Sequence, residues 1–513
     1  MKLRMGNLTK KDLAQMNRPF IEALDHASLV DMAYELRNVV IEQLERLEKD
    51  SRNSSKPPSS DNPYKKKQDD SSSDDVEASD AAEGNGAKDK SDSANDQTET
   101  TPKKRKPGRQ PGSKGFWRSE KPVPEETIPH YPNQCPNCGK EIIVPEGIPP
   151  YMGYYIFELE TTSSGIRIGC TLNHYYIVIC ECGNEVKSRP GEGYVSHIEN
   201  RIRDLKLTEY VMTGPMLTTF ISALSVRYRM SRNKIREFLI YWLNMELSVG
   251  TIDRCIREAG IACLPAVEVL IEELQNEDIL HIDETPWYEK GTFKWMWVAI
   301  SKVTAVYAIG TRKKEELLKL ISSAYIGWLI TDGYGAYRSH EKRQRCLAHL
   351  IRKAVALTGT VDEKAIKMGE WLLRELRGLI KTMSEDGEDS QQECNLILAR
   401  LKRGCNLGSK EEHFKLKKLS CEILNDWNAV VAFVKNPELP PTNNEAERAL
   451  RHAVISRRIS FGTRTTEGSL SYAALLSVIE TCRLRDQDPW NYIAQTITNG
   501  RKGIAPNPVP EVT

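Results

Sequence analysis

Apolar positions recur at steps of three and four between Ala27 and Lys49 (Leu29, Met32, Leu36, Val39, Val40, Leu44 and Leu47), which places one apolar stripe on a helix of about three heptads. Ser28 followed by Asp31 marks its expected start. The next segment offers nothing to pack against, so the stripe predicts self-association. From Ser51 to about Gly112 aliphatic side chains nearly vanish among Ser, Asp, Lys, Pro and Gly. Such a stretch cannot bury enough apolar area to offset its ordering entropy, and a disordered linker is expected. Strand-like runs return between about Pro129 and Ile198, and helical spacing follows from Leu207 to Leu274. From Glu277 the period changes again. Three strand-like runs, a helix at Lys314 to Ile321 and a further strand ending at Asp332 come first, then a long charged helical stretch from Ala354 to Asn436.

These changes of pattern divide the chain into an N-terminal helix (1–50), a linker (51–127) with a basic strip at 103–118, a small β module (128–198), and a helical domain (199–275). An α/β domain follows in two parts (276–353 and 437–490), with a helical insertion (354–436) between them and a tail at 491–513. A chain of 513 residues is too long for one core, in keeping with a multidomain α/β protein. No apolar stretch approaches the roughly 18–20 residues of a transmembrane helix, and the first residues lack the apolar centre of a secretory signal. A cytoplasmic protein without membrane contact is expected. The net charge of +1 conceals segregation, because an acidic run from Asp69 to Glu99 offsets basic clusters elsewhere.

Of twelve cysteines, Cys255, Cys263, Cys394, Cys405, Cys421 and Cys482 are expected as reduced core residues. Cys135 and Cys138 form a metal knuckle (CPNCG), and Cys180 and Cys182 (CECG) a tighter second one. Four thiolates on strand hairpins predict a zinc-ribbon-like module in which Zn²⁺ stands in for a core this small segment lacks. In the helical domain, Ser248 is placed to cap the second helix of a helix-turn-helix-like pair, and Arg232 and Lys234 supply phosphate contacts. Arg105 and Arg109, in the strip KKRKPGRQPG, suit a narrow minor groove.

Three carboxylates carry the chemistry. Asp283 (HIDETPW) and Asp332 (TDGYGAY) sit just past apolar strand-like runs, and Glu447 (NNEAERALR) opens an amphipathic helix after an Asn-rich turn. Oxygen ligands in these settings suit two Mg²⁺ (or Mn²⁺) ions in phosphoryl transfer, with one metal activating the attacking oxygen and the other stabilising the leaving one. Three strands, a helix, a strand and a helix is the order of a ribonuclease-H-like domain, in which the first and fourth strands are neighbours. Glu284 and Glu445 are expected to be structural. Arg448 and Arg451 beside Glu447, and Arg457 and Arg458 further along the helix, are candidate DNA contacts.

The motifs HIDETPW, TDGYGAY, CLAHLIRK, NNEAERALR and SRNSSKPPSSD, in this order of domains, resemble those of the insertion-sequence-66 family of bacterial transposases, and the resemblance runs through nearly the whole chain. It implies a DDE-type transposase that binds the ends of a mobile element and cleaves and joins DNA, with Asp283, Asp332 and Glu447 as its acids. Glu447 is preferred to Glu445 because the family places the acid directly before RALR. The resemblance also implies that Cys346 and His349 orient the active site, that the enzyme works as a homo-oligomer on transposon-end and target DNA, and that accessory proteins of the element are partners. Ser113 stands where the family usually has His, and the second cysteine knuckle is tighter than usual. The contrasting expectation is a transposon-derived DNA-binding regulator with an idle catalytic domain.

Overall fold

The structure, a computed structural model, describes residues 21, 23–47, 122–195, 205–384 and 388–512. The expected linker up to residue 121 and the strip bearing Arg105 and Arg109 lie outside them. Helix α1 (His26–Leu47) starts one turn earlier than expected, because Asp25 rather than Ser28 is the cap: Asp25 Oδ1 accepts from Ser28 N at 2.8 Å. Its stripe residues Leu29, Leu36, Val40 and Leu44 are exposed.

The β module holds a three-stranded sheet of β1 (Glu126–His130), β2 (Met152–Thr162) and β3 (Gly165–Tyr175), with β3 central. Beside it lie the small pairs β4 (Ile177–Ile179) with β5 (Glu185–Lys187), and β6 (Glu192–Val195) with β7 (Leu205–Thr208). Four helices follow: α2 (Pro215–Val226), α3 (Arg232–Leu243), α4 (Val249–Ala262) and α5 (Leu264–Leu274). Ser231 caps α3 and Ser248 caps α4, each through its hydroxyl oxygen accepting a backbone N–H three residues on.

Five strands form the principal sheet: β8 (Ile279–Glu289), β9 (Thr292–Ile300), β10 (Ala305–Gly310), β11 (Trp328–Thr331) and β12 (Arg343–Arg345), in the order β10-β9-β8-β11-β12. Helix α6 (Lys314–Leu320) links β10 to β11, and β8 is parallel to β11 and antiparallel to β9. β8 does not stop at Asp283 but continues to Glu289 along β9, past the last residue opposite β11. Pro286 is tolerated there because that length of β8 is an edge on the β11 side and needs no N–H for a ladder. The other edge, β10, is covered: Ser477 and Thr481 of α14 (Thr466–Leu484) accept the outward N–H groups of Tyr307 and Ala305 at 2.8 and 3.0 Å.

After β12 come α7 (Leu347–Thr358), α8 (Glu363–Met383), α9 (Glu388–Gly408), α10 (Phe414–Asn425), α11 (Trp427–Val430) and α12 (Ala432–Lys435), which share a core separate from the main one. This second core takes in α7, the helix expected after the strand that ends at Asp332. Buried ion pairs fasten this region to the sheet. Arg343 and Arg345 of β12 meet Asp426, Arg343 at 2.6 Å, and Glu422 accepts from both Arg345 and Lys353. Gly333, after Asp332, leaves the space that the Arg345 guanidinium occupies, where a Cβ would overlap it.

Helix α13 (Asn444–Ser460) and α14 return to the main core. The expected tail at 491–513 starts within a helix: α15 (Pro489–Arg501) begins at an Asp488 cap with Pro489 at its first position, buries Tyr492, Ile493 and Ile497, and pairs Arg501 with the buried Glu258 at 2.7 Å. The result is a mixed α/β multidomain chain with a helical C-terminal region. No helix among the described residues is long and apolar enough to cross a membrane.

Candidate active site and cysteine cluster

Ile279, Leu280 and His281 of β8 lie opposite Trp328, Leu329 and Ile330 of β11, a constant offset of 49 residues. Continued two positions, this register sets Asp332, the first residue past β11, beside Asp283. An Asx turn fixes Asp332, whose Oδ1 accepts from Tyr334 N at 2.7 Å. Asp283 is partly buried and accepts from the Glu284 N–H at 2.9 Å. Burial first, then the charges of Glu284, Asp332 and Glu447, push its carboxyl well above the usual carboxylate range.

Glu447 stands in the first turn of α13, and Asn443 determines where that turn starts. Asn443 is fully buried; its Nδ2 donates to the Ile282 carbonyl at 2.7 Å, its Oδ1 accepts from His281 Nδ1 at 3.0 Å, and its backbone N–H points at Cys346 Sγ at 3.2 Å. One side chain thus ties the glutamate helix to the strand residue preceding Asp283. Glu447 Oε1 accepts from Arg352 Nη2 at 3.0 Å, and His349 Nδ1 lies 3.6 Å away. Burial, with Arg352, Lys353 and Arg345 nearby, lowers the His349 imidazole to about 3, so the ring faces Glu447 uncharged.

Glu284 faces away from this group. It accepts from Tyr337 Oη at 2.5 Å and from Arg312 Nη2 at 2.6 Å, and Arg312 lies between the rings of Trp295 and Tyr334 at 4.1 and 4.2 Å from their centroids. Burial and the Asp332 charge raise Glu284 to about 7.

Among the described residues, two groups bring three or more ligand atoms within 4.8 Å of one another: Cys346 with His349 and Glu447, and Cys135 with Cys138, Cys180 and Cys182. The three carboxylates are brought into mutual electrostatic range without forming so tight a group. The cysteines do form one: Cys135 Sγ is 3.7 Å from Cys182 Sγ, and Cys138 Sγ is 3.5 Å from Cys180 Sγ. Tetrahedral Zn–S bonds of about 2.3 Å imply S···S separations of about 3.8 Å, so the donor set fits the ion. Both knuckles turn on a left-handed glycine, Gly139 at φ 72° and Gly183 at φ 82°. The Cys138 N–H directed at Cys135 draws that thiol down to about 6.

The candidate DNA contacts fall into two sets. Arg448, Arg451 and Arg458 are exposed along one face of α13, with Arg448 also paired to Glu445 at 2.9 Å. Arg457 is turned inward and donates to Thr285 Oγ1 at 3.1 Å and to the Pro286 carbonyl. On α3, Lys234 is exposed and Arg232 pairs with Asp253 at 3.3 Å. Sequence reasoning missed Asn443, Arg312, Tyr337 and Arg352 as supports of the acids. The doubled Asn before the glutamate helix was the available signal for the first, and the others act across long sequence separations.

Residues 211–470, just over half of the chain, match the model of the family described as Transposase IS66 family. The uncharacterized protein y4qI of Sinorhizobium fredii is 23% identical over 295 residues, covering 50% of this chain and 54% of that one. A second from the same organism, y4jD, is 25% identical over 237 residues, or 42% and 44% of the two chains. A third, y4hP, is 37% identical over 87 residues. The chain spans about half the length of the first of these relatives and less of the others. The matched region runs from before α2 to the first turn of α14 and includes Asp283, Asp332 and Glu447, and the chain belongs to the IS66 family of transposases.

Proposed function

We propose that the protein is a DDE-type transposase that binds the ends of an insertion sequence and carries out divalent-metal-dependent DNA cleavage and strand transfer. Its principal sheet is ribonuclease-H-like, interrupted by the helical region α7–α12, and Asp283, Asp332 and Glu447 are its acids. The observation that carries this reading is the meeting of the three on separate elements: two aspartates in register on parallel neighbours, and a glutamate whose helix is bonded to the same strand through Asn443. A partly buried aspartate surrounded by other acids, its carboxyl held well above the usual range, favours a bound cation, and the oxygen-only set suits Mg²⁺ or Mn²⁺. Two such ions would supply activation of the attacking oxygen and stabilisation of the leaving oxygen. Asp283 and Asp332 hold the site from the sheet. Glu447 completes it from α13, with Cys346, His349 and Arg352 orienting it. Arg448, Arg451 and Arg458 meet phosphates along α13, and Arg232 and Lys234 do so on the helix-turn-helix-like pair α3–α4. The cysteine cluster is a zinc ribbon that stabilises the β module. A homo-oligomer assembled on the two ends would follow from such a reaction.

Cleavage of DNA carrying the inverted repeats that flank the gene tests the reading. With Mg²⁺ or Mn²⁺ the enzyme should cut at the repeat and join the 3′-ends to target DNA, and Asp283→Ala, Asp332→Ala or Glu447→Ala should each abolish both while end binding persists. Full activity in any of the three variants would overturn the acid assignment.

A further inference from the structure

Between the α2–α4 helices and the start of α14 lies a cleft of about 490 Å³, within the roughly 300–1,000 Å³ of small-molecule pockets. Arg229, Arg232, Arg257 and Arg464 line it with Asp253 as the one lining carboxylate; counting Glu467, which pairs with Arg257, four guanidiniums against two acids leave two positive charges. Asp253 is shared by Arg232 and Arg257, and Arg257 also reaches Glu467. Arg464 is exposed without an ion-pair partner among the described residues, and Arg229 Nε is buried without a hydrogen bond. Three helices, α3, α4 and α14, present their N-terminal ends to the same space, adding partial positive charge. The remaining lining mixes Ser and Thr hydroxyls with an apolar and aromatic part from Met230, Ile256, Ile459 and the stacked pair Trp287 and Tyr472, whose centroids are 5.2 Å apart.

We propose that this cleft receives one unpaired nucleotide of a DNA strand, with its phosphates on the arginines and its base in the apolar interior. An anion alone would not account for the apolar lining, nor an apolar ligand for the cations. The partner rests on the transposase reading, and the position deepens it. The exposed stripe Arg448, Arg451 and Arg458 runs along α13 from the Glu447 end to Ile459 at the cleft. Those twelve residues span about 18 Å of helix, or about five nucleotide steps at 3.4 Å, between the acids and the held base.

The loop forming the cleft wall carries a second sign. Phe461, flanked by the lining residues Ser460 and Gly462, adopts φ 57° and is 81% exposed. An aromatic residue in a left-handed helix-ending position, where glycine fits without strain and where no burial is gained, contributes nothing evident to folding. In the proposed complex this exposed ring, between the wall residues Ser460 and Gly462, stacks on the entering base.

Binding of a fluorescent ten-residue oligothymidylate to the full chain in chelator-containing buffer tests the proposal without requiring cleavage or end recognition. Wild type should bind it. Arg464→Gln, and Gly250→Leu, which fills the cleft from a position whose Cβ would meet only Ser248 Oγ at 3.8 Å, should each weaken binding by about tenfold or more. Gly250→Leu should leave duplex binding by the α13 stripe within about twofold. Phe461→Gly should raise or preserve the melting temperature while weakening oligothymidylate binding; a purely structural role would move both together. Failure of the wild type to bind the oligonucleotide, or unchanged affinity in the Arg464 and Gly250 variants, overturns the proposal. Loss of DNA cleavage activity with this binding intact would instead count against the transposase reading alone.

Discussion

Replacing Asn443 by Ala tests how the glutamate is delivered to the aspartates. The amide is fully buried and makes two side-chain hydrogen bonds, to the Ile282 carbonyl and from His281 Nδ1. Burial lowers the His281 pKa, so the ring is neutral and its Nδ1 must carry the proton it donates. Truncation strands one buried acceptor and one buried donor. At about 1–3 kcal/mol each, the expected loss is about 2–6 kcal/mol in the unit containing β8 and α13. The assay has two arms: the denaturant midpoint followed by tryptophan fluorescence, since Trp287 lies on the same strand, and cleavage of end DNA at a temperature where the variant remains folded. Cleavage should fall at least about a hundredfold because α13 loses its anchor on β8, a misplacement of the order known to cost that much. Asn443→Asp restores the acceptor for His281 but not the donor to Ile282, and should recover only part of the stability. A variant destabilised by less than about 1 kcal/mol that cleaves as wild type would refute the argument.

Removal of metal from the cysteine cluster should unfold the β module locally: a strong chelator, or Cys135→Ser, should release about one Zn²⁺ per chain by metal analysis and expose β4–β5 to proteolysis, while the principal sheet keeps its amide protection. The ion pairs under β12 predict an acid response. Despite the opposing effect of burial, Lys353 and Arg345 hold Glu422, and Arg343 and Arg345 hold Asp426, below their ordinary carboxylate values. Their stabilisation is therefore complete above about pH 4–5 and lost as pH falls through the depressed folded-state values. Thermal melts from pH 6 to pH 3 should show a steep decline in wild type, and a lower starting stability with a flatter decline in Asp426→Asn; parallel slopes would contradict the assignment.

Periodicity made the local elements legible. The strand-like runs around β8–β11, the hydroxyl cap at Ser248 and the two knuckles, each ending in Cys-Gly, are all signals carried within a dozen residues. The extent of β8 was not legible, because its second half is held by pairing with β9 and contains Pro286 and Glu289, which read locally as a strand end. The C-terminal helix was lost for a similar reason: polar Asn and Gln interrupt an apolar face completed only when α2 and α4 pack on it. The buried pairing of Arg343 and Arg345 leaves no local sign, since their partners lie 77–83 positions away. At the site, the three acids stood out as candidates, but Asn443, which locates the third, showed only as one of a doubled Asn, because a buried amide leaves no periodic trace.

The chain leaves the sheet and returns to it at a single neck. Leu347 N donates to the Pro441 carbonyl at 2.9 Å, and Asn443 N meets Cys346 Sγ, so everything between is an excursion that opens and closes in one place. Doubling the length of such a loop adds only about 0.6 kcal/mol to its closure. Glu447 therefore takes its position from β8 and from α7, whose Arg352 it meets, rather than from α8–α12. Helices can be added to or removed from the excursion beyond α7 with little effect on where Glu447 stands, which leaves that part of the chain free to diverge.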